Sequence, residues 1–199
     1  SSDLGDVVDV QTLKKRKAYY EGKAIKFHQL SSSRVEPVCE HFGICGGCKW
    51  QNMNYQQQLF YKNQEVFNNL KRIGKIELPE FEPILGSEKQ LFYRNKMEFS
   101  FSDSRWITQE EIDKQQDIVN RNALGFHIPK MWSKILDLEE CFLQPNPSNE
   151  MRLAIRNFAL ENNISFYSPT EKKGELRTIM FRNNSQNEWM IVVQFFEDY

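Results

Sequence analysis

Three of the four cysteines of this chain lie within ten positions of one another. Cys39, Cys45 and Cys48 have the spacing Cys-x5-Cys-x2-Cys, and Cys141 lies far downstream. Thiolates are soft ligands, and a metal site of this kind joins one loop to a distant segment of the chain. We therefore expect the fold to bring Cys141 to the loop that holds the other three.

Three kinds of site are compatible with this spacing. Disulfides are disfavoured, because clustered cysteines in a reducing compartment are more often metal ligands. Zinc with four thiolates usually uses two separate two-cysteine knuckles, whereas Cys141 stands by itself. An iron–sulfur cluster accepts one wrapped loop plus an outside residue, and the pair Gly46 and Gly47 would let backbone N–H groups approach its sulfides. The spacing favours a cluster and leaves zinc open. His41 is not needed as a fifth ligand, so we expect it to have a structural role or to support the metal ligands from beside them.

Length and composition set the broad class. The 199 residues are enough for one large domain or two small ones, and 40% of them are hydrophobic, so a core without disulfides is expected. The formal net charge is -1, so nucleic-acid binding would need a local basic patch. We find no run of roughly eighteen apolar residues and no signal peptide, which predicts a cytoplasmic chain that does not enter a membrane.

The first 38 residues predict β-strands, starting with the apolar run at Val7, Val8 and Val10. A basic tract follows, made of Lys14, Lys15, Arg16 and Lys17. Two interpretations of this tract are balanced: it is a solvated hairpin tip, or it contacts phosphates. These strands are too few to close a barrel, so we interpret them as the back part of one.

Two helices are predicted. The first spans residues 55–73, with Asn54 as its N-cap and Gly74 at the C′ position after its end. The second begins at Asn146 as N-cap, with Pro147 as its first residue. Its predicted apolar face consists of Met151, Ala154, Ile155, Phe158 and Ala159.

The remaining segments predict an antiparallel sheet. Residues 91–102 alternate, with apolar residues on one face and the cations Arg94 and Lys96 on the other. Residues 103–121 are interpreted as a surface segment with one helical turn at Glu110–Lys114. Two further strand pairs are expected, at 123–128 with 133–138 and at 176–182 with 188–196. The predicted fold class is α+β: an antiparallel sheet with two flanking helices around the four-cysteine site, preceded by a partial barrel.

The cysteine motif has a known counterpart. The string Cys39-x2-Phe-x2-Cys45-Gly-Gly-Cys48-x2-Gln51 resembles the cluster-binding motif of the RNA (uracil-5-)-methyltransferase family. These enzymes use S-adenosylmethionine to make 5-methyluridine in ribosomal and transfer RNA. Four further segments are similar to family segments: Tyr93–Ser100, Leu124–His127, Leu136–Cys141 and Leu176–Arg182. The N-terminal strands resemble the end of the family's TRAM domain, an OB-like RNA-binding barrel.

This resemblance implies a division of the chain and a set of roles. Residues 1–36 would be a partial TRAM domain, and residues 37–199 a central iron–sulfur and RNA-recognition domain. Cys39, Cys45, Cys48 and Cys141 would hold a [4Fe–4S] cluster. RNA, with 23S ribosomal RNA favoured over transfer RNA, would contact the residues Lys14, Lys15, Arg16, Lys17, Arg94, Lys96, Phe126 and His127.

The resemblance also implies what this chain lacks. In the family a cysteine attacks C6 of uracil, C5 takes the methyl group, and a base then removes the C5 proton. If the cluster uses all four cysteines, none remains as nucleophile, and no Gly-rich strand-to-helix loop is present to bind S-adenosylmethionine. We therefore expect a piece of a longer enzyme, without catalytic or cofactor-binding residues and unable to methylate RNA without the rest.

One packing expectation follows from the same resemblance. The helix at 55–73 would pack on the missing catalytic domain, which leaves a stripe at Leu59, Phe67 and Leu70 without its partner. An apolar stripe without a partner predicts self-association or a changed helix position. The rival to the whole interpretation is a zinc-binding, non-enzymatic RNA-binding module; an electron-transfer domain is disfavoured because the ligand loops are so far apart in sequence.

Overall fold

The computed structural model describes residues 5–114 and 120–197, and the contacts among them divide the chain into two units. Unit 1 contains residues 5–38 and 50–88, and unit 2 contains residues 39–49, 89–114 and 120–197. The cysteine loop and Cys141 therefore lie in the same unit. None of the described helices is long and apolar enough to cross a membrane.

Unit 1 begins with an antiparallel hairpin of β1 (Val7–Lys15) and β2 (Tyr20–Gln29). The predicted β structure is confirmed, while its identity as a barrel remnant stays a prediction. The start of β1 is tied to the segment after β2, because the Asp6 carboxylate accepts hydrogen bonds from the Ser31 N–H at 2.9 Å and from the Arg34 guanidinium.

The helix of unit 1 is α1 (Tyr55–Asn68), which continues as one π-helical turn at Asn69–Ile73. Asn54 caps it as predicted, because its side chain accepts a hydrogen bond from the Gln57 N–H at 2.9 Å. The prediction for Gly74 is wrong: its φ of -68° is right-handed, and Lys75 adopts the left-handed conformation with φ 53°. No residue of α1 is fully buried.

Unit 2 is built on a five-stranded antiparallel sheet with the strand order β5-β4-β3-β6-β7. Its strands are β3 (Lys96–Ser102), β4 (Ala123–Ile128), β5 (Met131–Asp137), β6 (Leu176–Asn183) and β7 (Trp189–Phe195). These strands confirm both predicted pairs.

The start of β3 differs from the prediction. Residues 91–95 precede the strand, because the N–H groups of Phe92 and Arg94 bond instead to the carbonyls of Phe142 and Leu143, at 2.7 and 2.8 Å. The predicted strand position of Arg94 is therefore wrong, and Lys96 is the first residue of the strand.

The core lies on one face of this sheet. Met97, Phe99 and Phe101 alternate along β3, each at most 2% exposed, as the period of two predicts. The helix α3 (Ser148–Glu161) contributes Ala159 to the same core. The short helix α2 (Gln109–Asp113) matches the predicted helical turn, and residues 115–119 of that predicted surface segment lie outside the described residues.

The cap and the buried face of α3 differ from the prediction. Pro147 occupies the N-cap position without a side-chain hydrogen bond, so Asn146 is not the cap. Ala154 and Phe158 are exposed, whereas Arg152 is completely buried. The other three residues of the predicted face, Met151, Ile155 and Ala159, lie in the core or pack against it, so that part of the prediction is confirmed.

Candidate functional site

The cysteine loop of unit 2 is wound by backbone turns. The Phe42 N–H donates to the Cys39 carbonyl at 3.0 Å, and the Cys45 N–H donates to the His41 carbonyl at 2.9 Å. The His41 carbonyl thus helps to wind the loop, while the role of the His41 side chain stays a prediction.

Two adjacent glycines in the loop differ in how tightly they are packed. A Cβ on Gly46 would lie 2.7 Å from the His127 carbonyl oxygen, so only glycine allows the loop to approach the end of β4 this closely. The Gly47 N–H donates to the Cys45 sulfur at 3.3 Å, and a Cβ there would lie 3.7 Å from the Phe126 ring. The close contact at Gly46 is with the His127 carbonyl, and the predicted approach of the Gly46 and Gly47 N–H groups to cluster sulfides stays a prediction.

Cys141 is fixed by an asparagine of α3. The Cys141 N–H donates to Asn149 Oδ1 at 3.0 Å, and Asn149 Nδ2 donates to the Cys141 carbonyl at 3.1 Å. Both groups are buried, so these two bonds set the position of the fourth cysteine. No sequence pattern indicated this role for Asn149.

The four thiols influence one another electrostatically. Burial raises the pKa of Cys39, of Cys141 and of Cys45, the last to about 11, and neighbouring thiols including Cys48 raise each of these pKa values further. The four cysteines form no disulfide with one another. The fold therefore brings the fourth cysteine to the loop. No group of three or more His, Cys, Asp or Glu residues within the described ranges is arranged to hold a single metal ion.

A buried arginine lies beside Cys141. Arg152 is 0% exposed and donates to the carbonyls of Leu138 at 2.5 Å and Glu139 at 3.1 Å, and to Asn149 Oδ1 at 3.3 Å. The pKa of Arg152 is lowered overall, because the effect of burial outweighs the opposing effect of the nearby Cys141. Its Nε has no hydrogen-bond partner, and no carboxylate among the described residues lies within 4 Å of its guanidinium.

The burial of Arg152 is not evident from the sequence, because its position carries no apolar signal. It lies four residues after the buried Ser148 and seven before the buried Ala159, which is helical spacing along one face. Only its place on that stripe indicates burial.

The basic tract spans the end of β1 and the start of the hairpin turn in unit 1. Lys14, Lys15, Arg16 and Lys17 are all exposed. Arg16 Nε forms an ion pair with Glu21 at 2.8 Å, and Lys15 Nζ lies 5.8 Å from the Tyr20 ring centroid. The hairpin-tip position is thus established, and phosphate contact remains a prediction.

The other predicted RNA contacts do not share one surface. Arg94 is exposed, with its guanidinium 4.0 Å from the Met97 sulfur, and Lys96 lies 3.7 Å from a Glu98 carboxylate oxygen. Phe126 is half-buried and its ring lies 5.0 Å from the Phe99 ring, which gives it a packing role. His127 is exposed and follows it in β4, where neighbouring side chains point to opposite faces.

No protein-family model matches the chain, but individual relatives do. A Bacteroides thetaiotaomicron protein named an uncharacterized RNA methyltransferase is 49% identical over 95% of this chain and 42% of its own length. A Porphyromonas gingivalis protein of the same name is 42% identical over 98% of this chain and 43% of its own length. This chain is thus similar, over nearly its whole length, to part of proteins named RNA methyltransferases. The chain spans about two fifths of the length of the curated relatives it matches.

A solved structure has a similar fold. The crystal structure of Pyrococcus abyssi tRNA (uracil-54, C5)-methyltransferase in complex with S-adenosyl-L-homocysteine matches with a TM-score of 0.67 and 24% sequence identity. The match covers 98% of this chain and 40% of that chain. At this identity the similarity establishes the fold.

Proposed function

We propose that this chain is the cluster-binding and RNA-recognition part of an S-adenosylmethionine-dependent RNA (uracil-5-)-methyltransferase. The observation that carries the proposal is the convergence of four thiols in a chain that is similar, over nearly its whole length, to RNA methyltransferases. The activity named for the Pyrococcus abyssi protein supports uracil C5 as the methylated atom and S-adenosylmethionine as the methyl donor.

The proposed metal group is a [4Fe–4S] cluster held by Cys39, Cys45, Cys48 and Cys141. A tetrahedral zinc ion lies about 2.3 Å from each sulfur, so it needs four thiols packed around one point. The thiols of Cys39, Cys48 and Cys141 act electrostatically on that of Cys45, and the spacing of one loop plus one outside residue suits the bulkier iron–sulfur group. The unpaired Arg152 charge beside Cys141 also fits an anionic thiolate group.

Metal analysis tests this assignment. After anaerobic purification the chain should be brown and contain about four irons and four acid-labile sulfides per chain. Cys141→Ser should lose most of this iron, whereas serine at an exposed residue elsewhere, Leu85→Ser, should keep it. Colourless protein that holds one zinc and no sulfide after the same preparation would contradict the cluster and favour a zinc-binding, non-enzymatic RNA-binding module.

The RNA contacts proposed from the resemblance are the tract from Lys14 to Lys17 with Arg94, Lys96, Phe126 and His127. Ribosomal RNA stays the proposed substrate of the complete protein, and the tRNA activity named for the Pyrococcus abyssi protein makes transfer RNA the alternative. Competition between a 23S ribosomal RNA segment and transfer RNA for the chain distinguishes them. Tighter binding of transfer RNA would overturn the ribosomal assignment.

Methyl transfer should not occur in the 199-residue chain by itself. All four cysteines are assigned to the cluster, and the sequence has no Gly-rich loop for S-adenosylmethionine. Incubation with RNA and labelled S-adenosylmethionine should therefore leave the RNA unlabelled. Transfer above the background of a Cys141→Ser control would show that the nucleophile lies within this chain.

A further inference from the structure

The face of the sheet opposite the core carries a cleft of about 400 Å³. Ser100 and Ser102 of β3 and Thr178 of β6 line it. Along β3 the two serines alternate with large core residues that point to the other face, and Thr178 is paired with Ser100. Small hydroxyl side chains leave room above the sheet and offer hydrogen bonds in both senses. We refer to this feature as the outer-face cleft.

Aromatic rings line the outer-face cleft. The Trp132 side chain is 68% exposed, which is unusual for so large an apolar ring on a sheet. Tyr167 lies in the lining as well, and its ring packs 4.7 Å from that of Phe196. The cleft thus offers one freely accessible ring and one ring held in place.

Side chains with basic nitrogens complete the lining. His127, Lys172 and Arg177 belong to it, and none of the lining residues is acidic. The Arg177 guanidinium lies 5.2 Å from the Tyr167 ring and 5.5 Å from the Phe196 ring, so its plane is held between aromatic groups. None of the ion pairs among the described residues involves Lys172 or Arg177, so the charges of these two side chains are available to a ligand.

These groups match the parts of an unpaired nucleotide. Exposed bases stack on aromatic rings and on arginine planes, phosphates attract lysine and arginine, and hydroxyls bond to base edges and to the ribose 2′-OH. Paired bases in a duplex do not expose their faces for stacking.

We propose that the outer-face cleft binds one unpaired nucleotide of an RNA strand, with its base against Trp132 and its phosphate at Lys172 and Arg177. This inference rests on the proposed function in one respect, that the ligand is RNA. It adds a specific binding site on unit 2, built from residues that the cysteine motif does not include.

The test measures binding of a fluorescent single-stranded RNA oligonucleotide to the 199-residue chain by anisotropy. Trp132→Ala should weaken binding by about 5- to 150-fold, the range measured for loss of one base–aromatic stack. Trp132→Phe should restore most of the affinity, because it keeps a ring. Unfolding temperatures of the variants, measured in parallel, should match the parent because the side chain is exposed.

A matched lysine pair tests the charge. Lys172→Gln should make the slope of log affinity against log salt concentration shallower by about 0.7, the value for one phosphate contact on a single strand. Lys173→Gln makes the same charge change one residue away, but Lys173 is paired with Glu171 and lies outside the cleft. It should leave the slope unchanged.

The outcomes separate this inference from the function on which it rests. RNA binding that is equally tight in the parent, Trp132→Ala and Lys172→Gln would overturn the cleft while leaving RNA recognition intact. Equal affinity for a fully paired duplex would overturn the unpaired-nucleotide assignment. A parent chain that binds no RNA at low salt would overturn both the cleft and the RNA-recognition part of the proposed function.

Discussion

Replacing Arg152 by methionine keeps the length of the side chain and removes its charge and three hydrogen bonds. Leaving the carbonyls of Leu138 and Glu139 without their buried donor should cost about 1–3 kcal/mol for each carbonyl. For a domain of this size each kcal/mol lowers the unfolding temperature by about 3–6 °C. We therefore expect Arg152→Met to lower the unfolding temperature of the metal-free chain by roughly 10–30 °C.

The unfolding temperature of the cluster-loaded chain should fall further than that of the metal-free chain, because the substitution also removes a positive charge beside the proposed anionic cluster. A [4Fe–4S] core with four thiolates carries a net charge of about -2, and reduction adds one negative charge. At an effective dielectric constant of about 20, a cation at roughly 6 Å stabilises each unit charge by about 3 kcal/mol. Without Arg152 the reduced form is therefore disfavoured, and the reduction potential should become more negative by on the order of 100 mV.

A lysine variant separates charge from hydrogen bonding. Arg152→Lys keeps the positive charge but loses the forked geometry that reaches Leu138, Glu139 and Asn149 together. Its unfolding temperature should fall by much of the amount expected for Arg152→Met, whereas its reduction potential should stay close to that of the parent chain. Calorimetry of the metal-free and loaded chains and an anaerobic redox titration at visible wavelengths measure the two effects.

Two results would refute the role given to the Arg152 charge. If methionine and lysine shift the reduction potential by the same amount, the charge of Arg152 does not act on the metal group. If methionine changes neither the potential nor the iron content, the arginine contributes to the fold and to nothing else at this site.

Two further predictions concern unit 1. The hydrogen bond from Arg34 lowers the pKa of Asp6 from 3.8 to about 2, so its stabilisation is complete above about pH 4 and is lost as the pH falls towards 2. Asp6→Asn should flatten the fall of the unfolding temperature over that range, and an equally steep fall would contradict this. The predicted apolar stripe of Leu59, Phe67 and Leu70 is half-buried, and the Phe67 ring lies 5.5 Å from the Phe81 ring, so the exposed apolar residues near it are Val66 and Ile73. If these support self-association, serine at both should lower the sedimentation-derived dimer fraction, whereas Leu85→Ser, at a more exposed leucine outside the helix, should not. A monomeric parent would refute it.

The elements that could be predicted from the sequence are those whose pattern is local. The alternation of Met97, Phe99 and Phe101 determines their side of the sheet, and Asn54 caps α1 because its side chain reaches an N–H three residues on. The start of β3 could not be predicted because residues 92–94 bond to residues 142–143, a partner that periodicity does not reveal. Long-range pairing overrides the local pattern there.

The same contrast between local pattern and long-range contact explains which functional sites could be predicted. The cysteine spacing indicates a shared site because three ligands are close in sequence. The outer-face cleft could not be predicted, because its lining comes from β3, β4, β5, β6 and the segment 167–172, which only the sheet topology brings together. The burial of Arg152 could not be predicted either, because burial of a cation depends on carbonyls supplied by another segment, at Leu138 and Glu139.

The strand β4 connects the cysteine loop to the outer-face cleft, and Gly46 tests that connection. A Cβ at Gly46 would lie 2.7 Å from the His127 carbonyl, so Gly46→Ala must displace either the loop or the end of β4. Because His127 also lines the cleft, this one substitution should lower both the iron content and the affinity for single-stranded RNA. A Cβ at Gly47 would meet its nearest atom, the Cys45 sulfur, at 3.4 Å, an ordinary contact, so Gly47→Ala should lower the unfolding temperature less. Iron loss in Gly46→Ala with unchanged RNA affinity would mean that the two sites are independent.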